Sequence, residues 1–130
     1  MGLKRLKLIM LLAGLLAAAC EPPAERQRVN ELRKVASETP VYPGFEKLAV
    51  VEGMKSNVAV VNTRYASGAA FEEVKEFYMR ELIPRGWELR EGSVVERGPV
   101  WAMEFRKGLY SVTIQHFDDI YLVSHNWNYH

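Results

Sequence analysis

Apolar and polar positions recur along this chain with two different periods, and the switches between them mark its elements. From Ala69 to Ile83, Phe71, Val74, Phe77, Tyr78 and Leu82 recur at helical spacing, and Glu72, Glu73, Lys75, Glu76 and Arg80 take the opposite side. The spacing predicts an amphipathic helix. Ser67 or Gly68 is its expected N-cap, Glu72 and Glu73 sit near the positive end of its dipole, and Pro84 and Gly86 close it. Elsewhere the pattern is that of strands. Phe45 to Glu52, Asn57 to Tyr65, Trp87 to Glu91, Val100 to Arg106, Leu109 to Phe117 and Ile120 to Asn128 are expected strands, with turns at Gly53 to Ser56, Lys107-Gly108 and Asp118-Asp119.

The last three strands allow a consistency test. A two-residue turn at Lys107-Gly108 pairs Phe105 with Tyr110, Met103 with Val112 and Trp101 with Ile114. A two-residue turn at Asp118-Asp119 pairs His116 with Tyr121 and Ile114 with Val123. Both assignments place Trp101, Met103, Phe105, Tyr110, Val112, Ile114, Tyr121 and Val123 on one face, which a slip of one residue would break. That face is expected to receive the helix. The fold class is therefore α+β: one main amphipathic helix packed in two layers on an antiparallel sheet of about five or six strands.

The first twenty residues follow another pattern. Lys4, Arg5 and Lys7 precede an apolar run from Leu8 to Ala19, of signal-peptide length and too short to span a bilayer. Ala17-Ala18-Ala19 is a small-residue cut site, followed directly by Cys20, the only cysteine. The run resembles a bacterial lipoprotein signal peptide with its lipobox, although Ala17 stands where a branched aliphatic residue is usual. An ordinary A-x-A secretory site would be cut at the same bond. The resemblance implies acyl chains on Cys20 and a place on the cell membrane or outer membrane, facing the periplasm or the exterior. Because Glu21 is not the aspartate that retains some lipoproteins in the inner membrane, the resemblance leans to the outer one. Each buried acyl methylene contributes about 0.8 kcal/mol, so two or three chains suffice as an anchor.

Glu21-Pro22-Pro23 is a stiff spacer. Ala24 to Ser37 carries one thin apolar stripe of Val29, Leu32 and Val35, and is expected to be a solvated tether helix, the alternative being a docking helix for a partner. The organisation expected is a leader over 1–19, a lipidated, partly helical tether over 20–39 and a small domain over 40–130. From Tyr42 onward the chain is similar to a scattered group of small bacterial envelope proteins. The shared elements are Tyr42-Pro43-Gly44, Val74, Phe77-Tyr78, Leu82 and Gly86-Trp87. These are core and turn residues, so the resemblance implies a fold and no catalytic residue.

Charge narrows the possible partners. Without Lys4, Arg5 and Lys7, residues 20–130 carry 14 basic against 16 acidic side chains, net −2. There is no basic stripe for nucleic acid and no polybasic run for anionic lipid. A single cysteine excludes an internal disulfide and a thiolate zinc site. No G-x-S-x-G elbow and no phosphate loop occurs, and no cofactor is expected. His116, His125, the Asp118-Asp119 pair and the terminal His130 are the residues a small metal-dependent or hydrolytic enzyme would use. The expected register sets His116 and His125 roughly 13 Å apart, too far to share an ion.

What remains is the polar side of the sheet. Ser111, Thr113, Gln115, Ser124 and Asn126 project there and form the candidate binding face for an envelope protein or polymer. Should the chain dimerise, this face or the edge of the last strand is the expected contact. The function expected is that of a lipid-anchored, non-enzymatic binding module, or a structural component of an envelope assembly.

Overall fold

The computed structural model describes residues 23–128 except Gly98. The leader over 1–19, Cys20, the Glu21-Pro22 spacer and His130 lie outside the described residues. Among the described residues two α-helices, α1 (Pro23–Glu38) and α2 (Phe71–Leu82), accompany seven strands. The strands are β1 (Glu46–Lys55), β2 (Val58–Ala66), β3 (Glu88–Leu89), β4 (Val95–Arg97), β5 (Val100–Lys107), β6 (Tyr110–Phe117) and β7 (Ile120–Asn128). They form one antiparallel sheet in the order β1-β2-β7-β6-β5-β3, with β4 also pairing with β5. The fold is α+β. Burial alternates along β2, β6 and β7, broken where Ser111 is also buried, and gives the sheet one buried and one open face.

The buried face collects Tyr65, Met103, Phe105, Val112, Ile114, Tyr121 and Val123, and α2 lays Phe71, Val74, Phe77, Tyr78 and Leu82 against them. Each large apolar side chain so buried contributes about 1.5–3 kcal/mol. Leu82 leads into a 3₁₀ turn, Ile83–Arg85, and Gly86 ends it at φ 91°. That left-handed conformation is the reason for a glycine there. The N-terminus of α2 differs from expectation. Ala70 is the N-cap and makes no side-chain bond, while the Ser67 hydroxyl accepts instead from the Ala69 N–H at 3.1 Å.

The tether helix is a correction. α1 is not a solvated rod: Leu32 has no exposed surface and packs on Ala59 and Val61 of β2, with Val29, Ala36, Met54 and Trp127 around it. Three turns of α2 cannot cover a sheet this wide, so the part over β1 and β2 is left for α1. The small Ala59 side chain lets the helix approach. Arg33 adds a two-pronged ion pair to Glu52 of β1, with Nη2–Oε1 at 2.6 Å and Nε–Oε2 at 2.9 Å. Both helices therefore lie on the same face.

Two hairpins shift along their strands. β1 continues through Gly53 to Lys55, and the turn is Ser56-Asn57, with Ser56 at φ 56°. In the β5–β6 hairpin the loop is Gly108-Leu109, and Lys107 pairs with Tyr110, Phe105 with Val112 and Met103 with Ile114. That is a displacement of two residues from the expected register. Because side chains alternate with period two, the displacement leaves every residue on its expected face. The β6–β7 hairpin keeps the expected pairs, His116 with Tyr121 and Ile114 with Val123. β7 is central, between β2 and β6, so it has no free edge to offer a second copy; the free strand on that side of the sheet is β1.

Candidate functional site

The open face of the sheet presents polar side chains in rows that cross the strands. Glu104 pairs with Thr113, Thr113 with Ser124 and Ser124 with Asn62. In the next row Arg106 pairs with Ser111, Ser111 with Asn126 and Asn126 with Val60. Among the described residues no helix covers these rows, and with residues 51–55 of β1 they line a trough of about 600 Å³. Thr113, Gln115, Ser124 and Asn126 line it together with Asn62, Val51, Val60 and Lys55. Four of the five residues expected on the binding face are thus brought together. Ser111 is the exception. It is buried, and its hydroxyl takes a bond from the Asn128 side-chain amide at 3.4 Å.

Asn62 is the residue the sequence reading missed. Its Oδ1 is shut off from solvent and accepts no hydrogen bond. An unpaired buried acceptor costs about 1–3 kcal/mol, and this one stands in a trough otherwise furnished with donors and acceptors. The pairing of β2 with β7 puts it there. That pairing joins strands more than fifty residues apart in the chain, and no local pattern announces it.

At the far side of the face Glu104 forms ion pairs with Arg90 at 3.0 Å and Arg106 at 2.9 Å. Burial pushes its carboxyl up, but the bonds from Arg106 and Arg90 outweigh that and hold it below the usual carboxylate range. Arg90 also donates its backbone N–H to the Glu104 carbonyl at 2.9 Å. The loop before β4 is thereby fastened to the rim.

The opposite face holds a second hollow of about 720 Å³, between Val35, Glu38 and Thr39 at the end of α1, Leu82 at the end of α2, and Arg85 and Trp87 after it. Tyr110, Trp127 and the β5–β6 turn complete it. Lys107 lies across this turn and donates to the Arg85 carbonyl at 2.7 Å.

Among the described residues His116, His125 and the Asp118-Asp119 pair are not gathered. His116 stacks on Tyr121, ring centroids 4.1 Å apart. His125 lies across from Val112, four positions along the sheet from His116, and its Nε2 is 2.9 Å from Thr39 Oγ1. Burial lowers the His125 pKa to about 4, so at neutral pH its ring carries no charge. Asp118 and Asp119 are exposed in the β6–β7 turn. Among the described residues no group of three or more His, Cys, Asp or Glu side chains stands close enough to hold a metal ion, and no helix is long and apolar enough to cross a membrane. No family model, no curated protein and no solved structure matches the chain.

Proposed function

We propose that this is a lipid-anchored protein of the bacterial cell envelope that acts by binding, through the polar trough on the open face of its sheet. The observation that carries the reading is the bare, dished face. Both helices are spent on the other side, and Asn62 keeps an unpaired buried acceptor among Thr113, Gln115, Ser124 and Asn126. Hydroxyl and amide groups at these spacings suit a partner rich in hydrogen-bonding groups, an envelope protein or polymer. The acyl chains on Cys20 hold the module at the membrane surface.

Two measurements test the reading. Partitioning of the wild type into a detergent phase, and of Cys20→Ser into the aqueous phase, is expected; equal aqueous partitioning defeats the anchor. A photo-reactive residue replacing Gln115 is expected to crosslink one defined partner in intact membranes, while the same residue replacing Glu76 on the exposed side of α2 does not. Crosslinking that is indifferent to position defeats the binding face.

A further inference from the structure

We infer that the end of the sheet carrying the β1–β2 and β5–β6 turns is a membrane-contacting surface, its partner being the head-group layer of a phospholipid bilayer. The inference rests on the reading that Cys20 is lipidated, and adds what such an anchor does to the domain. Cys20 precedes Pro23 by three residues, a reach of at most about 11 Å. α1 does not swing on that leash. Leu32 is fully buried under it, Arg33 grips Glu52, and Thr39, one residue past its end, is bonded to His125. Acyl chains at Cys20 therefore draw one fixed corner of the domain to the bilayer.

That corner is where α1 begins. Glu25, Arg26 and Val29 border Gly53 and Met54 near the tip of the β1–β2 hairpin, and the Arg28 guanidinium lies 4.4 Å from the Trp127 ring centroid. Met54 pairs with Ala59, Ala59 with Trp127, Trp127 with Tyr110 and Tyr110 with Lys107. This is a single row at the end of the sheet, just before the two turns.

Its chemistry suits a head-group layer. Leu109 is 51% exposed at the tip of the β5–β6 turn, and the half-buried Trp127 lies in the adjoining row. Arg26, Arg28, Lys55 and Lys107 supply cations there; Glu25 and Glu38 oppose them, and Glu52 is taken by Arg33. Tryptophan and basic side chains are the residues an interface favours, and anionic lipid attracts the cations. The opposite end bears Asp118 and Asp119, beside Phe117. Leu109 immediately precedes β6 and Phe117 is its last residue, so about 27 Å separates the two ends. The strands then stand up from the bilayer, and the trough opens sideways, within reach of a partner in or along the membrane.

The test uses the full-length lipidated protein in vesicles of phosphatidylethanolamine and phosphatidylglycerol whose acyl chains carry bromine. A fluorophore is placed on Leu109→Cys and, separately, on Phe117→Cys; the thioether at Cys20 leaves the introduced thiol as the one that reacts. Quenching several-fold greater at position 109 than at 117 is expected. Equal quenching at the two positions, or more at 117, with the protein retained on the vesicles, overturns the orientation and leaves the anchor standing. Release of the protein on washing, with a titratable thiol at Cys20, overturns the anchor and the orientation with it.

Discussion

Thr39 and His125, eighty-six residues apart in the chain, meet at 2.9 Å between Oγ1 and Nε2. The Thr39 hydroxyl donates its own proton to the Val35 carbonyl at 2.9 Å. It is therefore the acceptor toward the histidine, which must carry its proton on Nε2. Nδ1 is left buried without a partner. One contact thus fastens the end of α1 to β7 and fixes a tautomer, while burial keeps the ring neutral.

Acid is expected to weaken this contact. Burial lowers the folded-state pKa of His125 from 6.5 to about 4, so the unfolded chain binds the proton more readily. The stabilisation is fully present above about pH 6.5 and is lost as pH falls toward 4, amounting to about 3 kcal/mol. Urea unfolding between pH 7 and pH 4 measures it. In His125→Gln that part of the pH slope is expected to vanish; an unchanged slope would assign the acid sensitivity elsewhere.

Removing the Thr39 hydroxyl while keeping its shape isolates the bond itself. Thr39→Val leaves the His125 Nε2–H buried without an acceptor and is expected to cost about 1–3 kcal/mol. Hydrogen exchange in the last turn of α1 is expected to rise with it, whereas amides in α2 keep their protection.

Leu32 carries α1 far more than the ion pair beside it. Leu32→Ala is expected to destabilise the domain by about 2–5 kcal/mol through lost burial and the cavity left behind, read as a fall in thermal midpoint. Arg33→Ala, which deletes an exposed pair with Glu52, is expected to cost no more than about 1 kcal/mol. Were the two losses equal, the helix would be held by charge and not by packing.

Asn62→Leu separates function from stability. Its unpaired Oδ1 is a cost in the free protein, so the substitution is expected to be neutral or to stabilise by about 1 kcal/mol. The crosslink made from position 115 is expected to fall at least tenfold in the same variant. A stable variant that still crosslinks as the wild type does would remove Asn62 from the binding face.

Glycine 86 provides a backbone check. At φ 91° an alanine is strained, and its Cβ would come within 3.4 Å of the Lys107 Cε. Gly86→Ala is expected to cost about 1–2 kcal/mol through backbone strain, since the 3.4 Å approach to Lys107 is an ordinary contact. Denaturant midpoints with and without Lys107→Met are expected to show the two losses adding; a smaller loss in the Lys107→Met background would make the side chain part of the cost.

Much of the fold lay open in the chain because local physics sets it. The α2 stripe of Phe71, Val74, Phe77, Tyr78 and Leu82, its closure at Gly86 and the common face of β5, β6 and β7 follow from periods of 3.6 and 2, and from glycine at positive φ. Even the displaced β5–β6 turn kept its faces, since a shift of two preserves parity. The polar face carrying Thr113, Gln115, Ser124 and Asn126 was legible for the same reason. What tertiary structure alone decided was adjacency: β2 against β7, which buries the Asn62 oxygen in the trough and makes β1 an edge, and α1 laid over Ala59 and Val61. A stripe as thin as Val29, Leu32 and Val35 does not declare a surface to meet, because its burial depends on how much of the sheet the other helix leaves bare.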